Sequence, residues 1–216
     1  IHLLDMRNHG RSFHSDEFNY DVMIQDVLEY VNDKNLDKFI LLGHSMGGKV
    51  AMNFACDYPE RVEKLLVADI SPREYAPHHQ DVMEALNAVD FSAVSSRKEI
   101  EDIMSKYIKD FGTLQFLMKN VHRVTPDSFG FRFNLKAFNN DETVIGEALS
   151  LDKKYSGKTL FLKGDRSKYI QESDYFDIQN HFPNSIIETV SNSGHWLHAE
   201  NPNDFFIKVN EFICDK

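Results

Sequence analysis

The stretch Gly43-His44-Ser45-Met46-Gly47 sets one serine between two glycines, directly after the apolar run Phe39-Ile40-Leu41-Leu42. An apolar strand, a glycine-flanked serine and then a helix-forming segment predict a sharp strand-to-helix turn of the G-x-S-x-G type. In such a turn the serine is strained and its hydroxyl stands clear of the backbone. Glycine is expected two residues before and two residues after the serine, because a side chain at either place would collide with the neighbouring strand and helix. A helix that begins at Met46 points its N-terminus at the hydroxyl, which makes the Met46 N–H a candidate donor to a developing oxyanion. The chemistry this arrangement serves is attack by the serine on an acyl carbonyl.

A serine hydroxyl is a weak nucleophile at neutral pH and needs an imidazole base, with a further group to orient that base. Of the ten histidines, His195 is the candidate, since it follows the last strand-like segment within Ser193-Gly194-His195-Trp196 and so reaches the same sheet edge. His198 forms an H-x-x-H pair with it, but no carboxylate motif or cysteine cluster accompanies the pair, and a packing or pocket-edge role is the simpler expectation. The acid has two candidates. Asp69 ends the strand Leu65-Leu66-Val67-Ala68, and Asp165 ends the strand before the histidine strand. Either could hold the outer nitrogen of His195. Trp196, beside the base, is a candidate for the substrate pocket. No metal or other cofactor is expected.

The elements that must carry these residues alternate between strand and helix. Ile1 to Asp5 is expected to be a strand, followed by a polar turn. A helix should run from an N-cap at Asn19 to about Asn32, a strand over 38–42, a helix over 46–58 stopped by Pro59, and a strand over 62–69. Near-continuous apolar strands in a β-α-β order imply a parallel sheet with helices on both faces. From residue 74 to 152 only helical periodicities are evident, around 82–89, 100–108, 114–121 and 143–151, as in an inserted helical cap. The strand pattern resumes at 159–162, with a helix at 174–181, a strand at 185–190 and a last helix from 202 to about 213. The domain expectation is therefore a core of 1–73 and 153–216 with a cap of 74–152.

Composition narrows the function classes. A chain of 216 residues, 42% hydrophobic, can bury one sizeable core, and a formal charge of −10 with no Lys/Arg block argues against nucleic acid. Two cysteines, Cys56 and Cys214, are too few for a disulfide framework, and no apolar run approaches membrane-span length. A cytoplasmic location without a membrane span is the corresponding expectation. The neighbouring pair His78-His79 is taken as solvated.

Asp5-Met6-Arg7-Asn8-His9-Gly10-Arg11-Ser12, the segment Gly43 to Lys49, Asp69-Ile70-Ser71-Pro72 and Gly194-His195-Trp196-Leu197-His198-Ala199-Glu200 together resemble the α/β-hydrolase superfamily, specifically its YbfF-like esterase branch. The resemblance spans nearly the whole chain. It implies an α/β-hydrolase fold and a serine hydrolase acting on small-molecule acyl esters or thioesters, with the helical insertion as a lid. It implies Asp69 as the acid, with Ser167 beside it in support and Asp165 as the alternative. Phe116, among the cap aromatics, is a candidate for the acyl pocket along with Trp196. The resemblance also implies strands and a second oxyanion-donating loop ahead of Ile1. Loss of such a donor typically costs about 2.7 to 4 kcal/mol of transition-state stabilisation, so a chain truly lacking it is expected to be nearly inactive. Other outcomes of the same triad are carbon–carbon bond hydrolysis, a lyase step, or a non-catalytic ligand-binding protein. A haloalkane dehalogenase is disfavoured because its nucleophile would be a carboxylate where Ser45 stands.

Overall fold

A computed structural model describes residues 1–76, 80–140 and 144–215, with the side chain of Asn140 left aside; His78, His79 and Thr143 lie outside this set. In chain order the elements are α1 (Tyr20–Asp33), β1 (Phe39–His44), α2 (Met46–Asp57), β2 (Val62–Ala68), α3 (Gln80–Asn87), α4 (Arg97–Met104), α5 (Phe111–Lys119), β3 (Val121–Thr125), β4 (Ser128–Phe131), α6 (Leu135–Asn140), β5 (Lys158–Gly164), α7 (Tyr175–His181), β6 (Ser185–Val190), α8 (Leu197–Glu200) and α9 (Pro202–Cys214). They fall into two compact units, one of residues 1–19 and 75–146, the other of 20–74 and 147–216. Residues 1–19, which the sequence assigns to the core, thus cluster with the helical excursion.

The second unit is built on a four-stranded sheet among the described residues, ordered β1-β2-β5-β6. Every neighbouring pair is parallel. Leu65 and Leu66 in β2 are both fully buried. Successive strand residues point to opposite faces, so this strand is covered on both sides, as a parallel sheet with crossover helices requires. Leu66, Ala68, Leu160, Leu162, Val190 and Leu197 form one cluster, with Phe205, Val209 and Phe212 of α9 packed against it. Each such leucine contributes about 1.5 to 3 kcal/mol relative to an exposed one.

The first unit departs from expectation in three places. Ile1 to Asp5 is not a strand; Ile1 and Leu3 are fully exposed, and among the described residues no strand lies beside them to satisfy a ladder. The polar turn that follows is instead fixed by Asn8, which is buried with φ +64°. Its Oδ1 accepts from the Ser15 N–H at 2.8 Å, and its carbonyl accepts from the Asn134 N–H at 2.9 Å. The excursion also contains strands: β3 and β4 form an antiparallel hairpin across Pro126-Asp127. The helix expected to reach Val121 stops at Lys119, where β-branched residues before a Pro-Asp turn favour the extended backbone. Around 143–151 only Val144–Gly146 forms one 3-10 turn, and α6 has no counterpart among the expected helices.

Lys49 ties together chain segments far apart in sequence within the second unit. It is fully buried, and its ammonium donates to the carbonyls of Pro72 at 2.9 Å, Arg73 at 2.6 Å and Glu147 at 2.6 Å. Burial, with the nearby Arg73 charge, pulls its pKa down to about 7 against the opposing attraction of Asp177, Glu147 and Glu74. The unfolded chain keeps that proton up to the ordinary lysine value of 10.5, so between about 7 and 10.5 it binds more protons than the folded chain and stability rises with pH. Urea denaturation across this window should show wild-type stability climbing relative to Lys49→Met by up to about 1.4 kcal/mol per pH unit. Parallel pH profiles for the two proteins would remove this assignment.

Candidate active site

Ser45 and Asp69 follow the ends of two neighbouring strands, β1 and β2. In the parallel register His44 lies opposite Ala68, and Ala68 opposite Leu162. The ladder then runs one residue further: the Ser45 N–H donates to the Ala68 carbonyl at 3.0 Å, and the Asp69 N–H to the Leu162 carbonyl at 2.7 Å. Adjacent strands are about 4.8 Å apart, so Ser45 and Asp69 leave the sheet as neighbours at its carboxyl edge. Both have left-handed backbones, with φ +53° at Ser45 and +52° at Asp69. This conformation is costly for non-glycine residues and aims each side chain out of its strand.

His195 joins them from the loop after β6. Its Nδ1 lies 2.8 Å from Asp69 Oδ2, and its Nε2 lies 3.0 Å from Ser45 Oγ. An ionised Asp69 can only accept, so Nδ1 carries the proton, and Nε2 is left with a lone pair facing the serine hydroxyl. The fully buried Asp69 carboxylate also accepts from Ser167 Oγ–H on Oδ2 and from the Gly164 N–H at 3.2 Å on Oδ1. Asp165 does different work. Its exposed carboxylate accepts the N–H groups of Asn192 at 2.8 Å and Ser193 at 2.9 Å, and these two bonds hold its pKa below the usual aspartate value.

The loop bearing His195 is held at almost every peptide. Past the two N–H groups taken by Asp165, Glu200 accepts from the Gly194 N–H at 3.0 Å and the Trp196 N–H at 3.2 Å. Arg166 donates both to Glu200 at 3.2 Å and to the Asn192 carbonyl at 2.6 Å. His44 Nε2–H donates to the His195 carbonyl at 2.8 Å, with the two imidazole centroids 4.7 Å apart. Burial first, and the neighbouring His195 second, push the His44 pKa down to about 3, so this ring is neutral beside His195. His198 and Trp196 pack on His44, at 4.8 and 5.5 Å between centroids. The Tyr169 ring stacks on His195 at 3.8 Å with 19° between the planes.

Met46 opens α2 directly after Ser45, so its N–H belongs to the first helical turn, whose donors have no acceptor within the helix. Phe116 belongs to the first unit, on α5, where it is exposed. Sequence reasoning did not identify His44, Tyr169, Arg166 or Glu200. His44 is the variable position of the serine motif, and the loop residues signal nothing until β5 and β6 are paired. Among the described residues no group of three or more His, Cys, Asp or Glu is arranged to hold a metal ion.

The elbow glycines also differ from expectation. A Cβ on Gly43 would overlap the Gly47 carbonyl, as expected, but one on Gly47 would meet no atom within 4 Å. The constrained second glycine is Gly48, whose Cβ would lie 2.5 Å from Ile70 Cγ2 and 3.2 Å from the Gly43 carbonyl oxygen.

A parallel sheet that lifts a serine on a strained strand-to-helix elbow defines the α/β-hydrolase class of fold. A family model described as the alpha/beta hydrolase fold matches residues 1–202, and the chain belongs to that family. A putative esterase/lipase of Haemophilus influenzae is 42% identical over 214 residues, covering 99% of this chain and 73% of that protein. The sn-1-specific diacylglycerol lipase ABHD11 of Danio rerio is 37% identical, over 97% of this chain and 68% of its own length. Esterase YbfF of Escherichia coli is 31% identical, over 98% of this chain and 82% of its own length. Among solved structures a marine microorganism esterase superposes with a TM-score of 0.92 at 37% identity, covering 96% of this chain and 82% of its own.

The elbow geometry sets an order of tolerance. Gly47→Ala should leave stability within about 0.5 kcal/mol of wild type, whereas Gly43→Ala should lose several times that, with Gly48→Ala between them. Thermal unfolding of the three variants checks the order; equal losses at 43 and 47 would contradict it.

Proposed function

We propose that this chain hydrolyses carboxylic esters through an acyl-enzyme formed on Ser45, with His195 as base and Asp69 as its orienting acid. Ester hydrolysis itself follows from the esterase relatives. The observation that supports this particular triad is the position of one imidazole, with its two nitrogens 3.0 Å from Ser45 Oγ and 2.8 Å from Asp69 Oδ2.

The Ser45 hydroxyl gives its proton to His195 Nε2 as its oxygen bonds to the acyl carbon, and the carbonyl electrons move onto oxygen, where the Met46 N–H donates. Asp69 stabilises the imidazolium. The tetrahedral species collapses, and the alcohol, or the thiol of a thioester, leaves with the proton from Nε2. Water then attacks the acyl-serine, losing a proton to His195, and the acid departs as the proton returns to Ser45. Ser167 keeps the proposed supporting role, through its bond to Asp69. Asp165 is assigned to holding the base loop. Trp196, and Phe116 as the sequence suggests, are proposed to meet the acyl chain, with the helical excursion acting as lid. No described helix is long and apolar enough to cross a membrane.

The full-length protein should hydrolyse p-nitrophenyl acyl esters and be labelled by a fluorophosphonate probe. Ser45→Ala should abolish labelling and lower kcat by at least about a thousand-fold. Asp69→Asn should cost on the order of ten-thousand-fold, and Asp165→Asn less than about ten-fold. Undiminished turnover by Ser45→Ala would end the serine mechanism, and a reversed order of the two aspartates would transfer the acid role.

A further inference from the structure

We propose that Tyr169 is a positioning residue for the reaction, whose ring face stabilises His195 in its imidazolium form; the inference rests on the triad described above. The two rings are nearly parallel, 19° apart with centroids at 3.8 Å, closer than the contacts of His195 with His44 at 4.7 Å or Trp196 at 5.3 Å. Tyr169 is also built into the acid's support. Its N–H donates to Ser167 Oγ at 3.2 Å, and that hydroxyl donates onward to the Asp69 oxygen that holds His195. The next residue, Ile170, is buried and anchors the segment in the core. One short loop after β5 therefore supplies a donor to the acid and a ring to the base.

The chemistry gives this contact a direction. His195 is neutral while it waits and positive once it has taken the Ser45 proton. An aromatic face carries negative quadrupole density and attracts the cation more than the neutral ring. A contact stronger in the charged state than in the ground state lowers the barrier instead of merely tightening the resting site. Groups of fixed charge or dipole around the imidazole are Asp69, which is shared by both states, and His44, which is neutral.

Packing and electrostatics separate when the ring keeps its shape and changes its quadrupole. In the full-length protein Tyr169→Phe should retain kcat within about two-fold. Tyr169→pentafluorophenylalanine, with an electron-poor face of similar outline, should lower kcat about five-fold relative to Tyr169→Phe and move the acid limb of the kcat/KM profile down by about 0.7 pH unit. KM should change little. Thermal unfolding confirms that both variants are folded. Equal kcat and equal acid limbs for the two variants would overturn the proposal, as would a loss in Tyr169→Phe as large as in the fluorinated variant, which would move the effect to the hydroxyl. If Ser45→Ala remains active the triad itself fails; if it is inactive and the two ring variants coincide, only the role of Tyr169 fails.

Discussion

A fully buried carboxylate, Asp69, is the group around which the second unit is organised. An ionised carboxylate without water costs several kcal/mol unless donors surround it. Asp69 has three: the His195 ring, the Ser167 hydroxyl and the Gly164 N–H. These come from the loop after β6, the loop after β5 and the end of β5 itself, so satisfying one charge fixes three chain segments at the sheet's edge. Removing any of the segments would leave an acceptor short, which couples the geometry of the site to the stability of the core beneath it.

The sheet makes this economical because register does the positioning. Ser45 and Asp69 each take the rung just beyond their strand and each bends into a left-handed backbone there. Two strained residues cost on the order of 1 to 3 kcal/mol each, a cost the buried apolar ladder of Leu65, Leu66, Leu160 and Leu162 can offset. His195 lacks such a strand end and sits in a loop, where the compensation is polar: Asp165 and Glu200 between them accept four backbone N–H groups around it.

The central strands were legible because a doubly covered parallel strand is a short continuous apolar run, and β2 and β5 contain such runs, Leu65 to Ala68 and Leu160 to Leu162. Ser45 announced itself through its glycine neighbour at 43, and His195 through its place after the last strand. What could not be read depended on partners distant in sequence. Residues 1–5 look like a strand by composition but have no ladder beside them among the described residues. The β3–β4 hairpin hid behind helical periodicity because its strands are short and bury only Val121 and Phe129. Gly47 holds the motif position, yet only the approach of Ile70, Val67 and the Gly43 carbonyl, all to Gly48, shows which of the two glycines is constrained. His44 and Tyr169 carry no motif of their own and acquire meaning only when their rings are brought against His195.

His44 shows how burial selects between two chemically identical rings. Its centroid is 4.7 Å from that of His195. Two positive imidazoles at that separation would repel by roughly 3 to 4 kcal/mol at an effective dielectric of about 20, enough to oppose proton transfer from a serine. Withdrawal from water keeps His44 neutral, and its remaining proton is committed to the His195 carbonyl. The same ring can therefore steady the His195 backbone while staying neutral itself. His195, whose Nδ1 faces a carboxylate, is the imidazole of the pair equipped to become cationic.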